Sequence, residues 1–144
     1  MRPTERAELA SWTTAAQLRL FDSMHVADRR HGLDVVARLR ADGVSDPEVL
    51  LAGLLHDCGK GQTGVAPRVA YSLGQAYGPW VWRAAGRLAG FATSLRVLQV
   101  HAERSAELAA EAGCSTRTVE LIRHQDAPQD PQFGELLRLA DEAS

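Results

Sequence analysis

Two cysteines in 144 residues, Cys58 and Cys114, are too few for a disulfide framework. They place the chain among proteins that keep reduced thiols, so the expected compartment is the cytoplasm. No charge of one sign dominates: 16 Lys and Arg stand against 18 Asp and Glu, for a net charge of -2. Without an overall basic field, a nucleic acid polymer is not an expected partner. The longest apolar run, Val49 to Leu55, falls far short of the ~18–20 residues that span a bilayer, so no membrane partner is expected. The first residues, MRPTERAEL, are charged and lack the apolar stretch of a signal peptide. There is no repeat, no low-complexity segment, no linker and no sustained period-two alternation. What is present is globular composition, 45% hydrophobic and 24% charged, at a length suited to one domain with a real core.

Ala, Leu, Arg and Glu dominate, and the chain is expected to be helical almost throughout. A first helix covers about Glu5 or Thr13 to Ser23, and a second about Val26 to Ala41, with Gly43 just past its end. Asp46 and Pro47 then read as N-cap and first-turn proline of a third helix that runs to about Asp57. This helix is apolar on most sides and belongs in the middle of the fold. CGKGQTG is a loop by its glycines. Beyond it, helices are expected at about Val65–Ala76, Pro79–Leu88, Thr93–Ala112 and Thr116–His124, with Ser115 as a cap. Asp130 and Pro131 open a last one that reaches Glu142. The expected fold class is all-α, a single bundle of about seven helices.

The segment LLAGLLHDCGKG sets two ionisable side chains, His56 and Asp57, at the end of the most apolar helix. A buried carboxylate needs compensation by a hydrogen-bond network, a cation or a metal ion. Other helices repeat the feature. His31 shares a stripe with Val35 and Leu39, His101 one with Leu98, Ser105, Leu108 and Ala112, and Asp141 one with Phe133 and Leu137. His124 follows Leu121 by three residues at its helix end. Singly, each is a satisfied core residue, a helix-end cation or a solvated carboxylate. Together, four of the five histidines and two aspartates form a ligand set suited to Zn, Fe, Mn, Co or Ni, and without thiolates it does not resemble a structural zinc cage. His25 fits no stripe and is expected at the surface near a helix start. Cys58 is expected to be a small packing residue. Trp80 and Trp82 are expected to pack in the core, the other reading being an interface role, in a homodimer or under a substrate base.

This pattern resembles the HD-domain superfamily of metal-dependent phosphohydrolases. H…HD…D reads as His31, His56–Asp57 and Asp141. HDCGK matches the H-D-x-G-K form of the central motif. The further histidines of the two-metal branch read as His101, in VHAERSAEL, and His124, in LIRHQD; LADEAS resembles the closing helix. The match covers about residues 25–144, with 1–24 as an N-terminal helical extension. Three departures narrow it. No GYP segment follows a paired histidine, as in the cyclic-di-GMP phosphodiesterases. CGKGQ stands where the alarmone hydrolases carry Glu-Asp. The extended histidine-rich segment of the dNTP triphosphohydrolases is missing.

The resemblance implies two divalent metal ions bridged by Asp57, one completed by His31, His56 and Asp141 and the other by His101 and His124. It implies a metal-activated water attacking phosphorus in a small phosphorylated substrate, a nucleotide or other phosphoester. Lys60 is the first candidate to neutralise phosphoryl charge, as a catalytic and substrate-binding residue beside Asp57. Arg68 and Arg104 are weaker ones, each with a solvated helix face as its alternative. Two rivals share the ligand set: a mixed-valent di-iron oxygenase, and a non-catalytic metal- or nucleotide-binding module.

Overall fold

The computed structural model describes residues 3–60 and 90–144. Among these it is all-helical, without strands: α1 (Pro3–Trp12), α2 (Ala15–Ser23), α3 (Val26–Ala41), α4 (Pro47–Leu55), a 3-10 turn (Cys58–Lys60), α5 (Gly90–Glu111), α6 (Thr116–Arg123) and α7 (Gly134–Glu142). The helices expected at 65–76 and 79–88, with Arg68, Trp80 and Trp82, lie outside the described residues. The chain forms two compact units, Met1–Gly61 with His101–Ser144, and Gln62–Val100. Of the second, the described part is the stretch of α5 up to Val100; among the described residues the buried core lies in the first. No described helix is long and apolar enough to cross a membrane.

The apolar composition of α4 decides its position. Every residue from Val49 to Leu55 is buried, and the helix packs most extensively on α3 and α6. Its four leucines each contribute about 1.5–3 kcal/mol by leaving water. Val35 and Leu39 of α3, Ile122 of α6, Leu137 of α7 and Phe21 of α2 complete this core.

Local hydrogen bonding sets the boundaries. The open start of the first helix resolves into two helices broken at Thr13–Thr14. There Thr14 takes an extended conformation, its Oγ1 accepts the Gln17 N–H at 3.2 Å, and Gln17 Oε1 accepts the Thr14 N–H at 2.9 Å. This reciprocal box satisfies donors that a helix start leaves open, so a new helix begins there. Asp46 caps α4 through the Glu48 N–H at 2.9 Å, and Ser115 caps α6 through the Thr118 N–H at 3.2 Å. Glycines at positive φ, Gly43 and Gly113, follow α3 and α5.

α5 begins at Gly90, ahead of the expected Thr93, and two further ends differ for a visible reason. α4 stops at Leu55 rather than Asp57, because the chain tightens into the 3-10 turn. α7 starts at Gly134, since Asp130 Oδ1 takes the Gln132 and Phe133 N–H groups at 2.9 and 2.8 Å and holds those residues in a turn.

Candidate metal centre

The centre is assembled where α3 crosses α4. Gly32 of α3 lies on the Leu54 carbonyl so closely that a Cβ would stand 2.6 Å from that oxygen. Only glycine permits this approach, and it brings the neighbouring His31 beside the end of α4. The rings of His31 and His56 meet edge to face, their centroids 5.2 Å apart. α7 supplies the third group. Asp141 Oδ1 lies 2.7 Å from His31 Nε2 and 3.1 Å from His56 Nε2. One ligand atom from each of His31, His56 and Asp141 lies within 4.8 Å of the other two.

His56 is 2% exposed, and its Nδ1 lies 2.9 Å from the Gly53 carbonyl three residues earlier. A carbonyl can only accept, so Nδ1 carries the proton. In the neutral ring Nε2 then has the lone pair, pointing toward Asp141. A backbone carbonyl that fixes the ring in this way is the usual support of a metal-ligating imidazole. Two imidazole nitrogens and a carboxylate fit a divalent transition metal.

Without an ion, His56 and Asp141 favour each other's charged forms. Burial works to lower the His56 pKa, but the charge of Asp57 and the bond and charge of Asp141 outweigh it and raise it to about 9. Asp141 is held well below the usual carboxylate range: its bonds to His31 and His56, with their charge, overcome burial.

Asp57 stands next to this group, with Oδ2 at 3.6 Å from His56 Nε2, and is 5% exposed. Its partner is Lys60, whose Nζ lies 2.5 Å from Oδ2. The Lys60 N–H also donates to the Asp57 carbonyl at 3.0 Å, closing the 3-10 turn. Burial alone would raise Asp57 and lower Lys60; their mutual attraction, with His56 acting on Asp57, reverses both shifts.

The turn is clamped onto α5. The Gly59 N–H donates to Ser105 Oγ at 2.8 Å, and a Cβ on Gly59 would stand 2.5 Å from Ser105 N and 2.8 Å from the His101 carbonyl oxygen. Cys58 is buried with its thiol on the Ser105 carbonyl at 3.5 Å, and burial pushes its pKa up to about 12, so it packs rather than reacts.

The remaining expected ligands stand outside the group of three. His101 is half-buried on α5. His124 ends α6 with Nε2 at 3.3 Å from Glu120 Oε2, and it lines a cleft of about 480 Å³ with Thr116, Arg117, Leu121 and Gln129. Arg104 is exposed and paired with Glu107 at 3.2 Å. His25 is the N-cap of α3, accepting the Ala27 N–H at Nδ1.

Two carboxylates near the site, Asp28 and Asp126, are not among the residues singled out from the sequence. Asp28 is buried and its charge helps raise Lys60. It precedes His31 by three residues, so helical spacing alone places both on one face. Asp126 is raised by burial and then by the charges of Asp141 and Asp57. It follows α6 in a loop, where no periodicity marks it.

In comparisons with known proteins, no family model, no curated protein and no solved structure matches this chain.

Proposed function

We propose that the chain is a metal-dependent phosphohydrolase of the HD type, acting on a small phosphorylated substrate such as a nucleotide or other phosphoester. The observation that carries this reading is the convergence of His31 Nε2, His56 Nε2 and Asp141 Oδ1 from three parts of the chain, beside the buried Asp57. These residues follow the order of the H…HD…D pattern, and their donor chemistry suits Fe, Mn, Zn, Co or Ni.

His31, His56 and Asp141 would hold the ion. When bound, such an ion polarises a phosphoryl oxygen and makes water acidic enough to serve as a nucleophile near neutral pH. The protein's part is orientation and charge. The Gly53 carbonyl fixes the His56 ring, and Asp141 aligns both imidazoles. Lys60, a third exposed, presents positive charge at the rim of the site.

The test is metal analysis on protein purified without chelators, followed by phosphate release over nucleotides and sugar phosphates. A bound transition metal and phosphate release are expected, both abolished in Asp141→Ala. Metal-free wild-type protein overturns the assignment. Bound iron with oxygen uptake and no phosphate release replaces it with an oxygenase, and nucleotide binding without turnover replaces it with a binding module.

A further inference from the structure

Resting on that metal-site reading, we propose that the centre takes a single metal ion, and that the Lys60 ammonium, bonded to Asp57, serves as its second cation. The residues do not suit two ions. Asp57, the one side chain that would bridge them, already has Oδ2 occupied by Lys60 Nζ at 2.5 Å. His124 Nε2, an expected ligand of the second ion, is engaged by Glu120 at 3.3 Å.

The turn itself holds the ammonium in place. Lys60 sits in a 3-10 turn closed by its own N–H on the Asp57 carbonyl, and that turn is locked to α5 through Gly59 and Ser105. Its side chain is two-thirds buried, which limits the freedom of the charge to move away.

Asp57 and Asp141 are the two carboxylates bonded within the site, and the ammonium answers the first of them at 2.5 Å. The fixed ammonium also differs chemically from a metal: it attracts phosphoryl oxygens but has no coordination position for a substrate atom.

The experiment is a Mn²⁺ titration of metal-stripped protein, counting bound ions from the free Mn²⁺ signal and checking the fold by thermal melting. Wild type is expected to saturate at one ion per chain. Lys60→Gln, which releases Asp57 and removes the ammonium, is expected to take up a second, and Lys60→Arg, which keeps the charge, to stay at one. Two ions in wild type overturns the single-ion inference, one in a folded Lys60→Gln overturns the part given to the ammonium, and either leaves the metal site standing. No ion in wild type overturns the metal site itself. If Lys60→Gln does not fold, the wild-type count of one against two decides alone.

Discussion

The two ends of α4 each carry a cluster of charges, and they solve different problems. At the N-terminal end, Asp46 caps the helix and Arg117 gathers Asp46, Glu48 and Asp130 at 2.9, 3.8 and 3.2 Å, all partly open to water. Thr118, fully buried, donates Oγ1–H to the Glu48 carbonyl at 3.0 Å. Every group there has a partner whose role is to finish a helix and seat α6 upon it. At the C-terminal end, His56 and Asp57 are almost fully buried and are compensated by groups from α3, α7 and the 3-10 turn. The N-terminal end follows the helix dipole, with acid in the first turn, whereas the C-terminal end mixes His56 and Lys60 with the carboxylates of Asp57 and Asp141. Burial separates them: charge left in water costs little, whereas charge enclosed by α4's apolar neighbours is retained against a desolvation penalty.

The sharpest way to break this contrast is Asp57→Ala. It leaves the Lys60 ammonium without its main partner and His56 without a neighbouring charge. A stability loss on the order of 2–3 kcal/mol is expected, below the full value for a buried pair because Lys60 keeps a third of its surface in water. Denaturant unfolding measures it, and a loss under about 0.5 kcal/mol, the surface-substitution range, would show the end to be no more demanding than a surface pair. Gly32→Ala comes next. The added Cβ meets the Leu54 carbonyl at 2.6 Å and must push α3 from α4, at about 1–3 kcal/mol. Because that contact sets His31 beside His56, Mn²⁺ affinity should fall by about tenfold or more, whereas a mutation of equal cost elsewhere would spare it.

The N-terminal end should respond more weakly and without any change in metal binding. Thr118→Val keeps the shape but removes the side-chain donor from the Glu48 carbonyl, for about 0.5–1.5 kcal/mol. Asp130→Asn should have the smallest effect, and one that depends on pH. The Phe133 and Gln132 N–H groups, with Arg117, lower the Asp130 pKa in the folded state. A depressed carboxylate contributes stability that is present above its unfolded value of about 3.9 and is lost as pH falls through the lower folded value. The variant should therefore melt below wild type at neutral pH and converge with it in acid. A gap that persists at pH 2 would mean that the charge is not what matters.

Much of the fold is legible in the sequence. All-helical composition, the caps at Asp46 and Ser115, the buried course of α4 and the stripes carrying His31 and Asp141 follow from local propensity and 3.6-residue periodicity, which depend on neighbours within a turn or two. Thr14-x-x-Gln17 is equally local, a capping box written in four residues, and it divides a segment that otherwise reads as one helix.

What the sequence determined by itself was the kind of side chain on each helical face and the residue types available to a site. Only the tertiary structure decided which of them meet. His31, His56 and Asp141 are separated by up to 110 positions and converge because Gly32 admits α3 onto α4 and α7 packs its Leu137 face against the same core. His101 and His124 carry the same periodic signal and do not join that group. Periodicity reports which side of a helix a residue occupies, but not the height or angle at which two helices cross. Whether Asp57 is answered by a distant ligand or by the lysine three residues on is a matter of ångströms. The turn that carries Lys60 is held by the clamp between Gly59 and Ser105, a contact across 46 positions that no local pattern records.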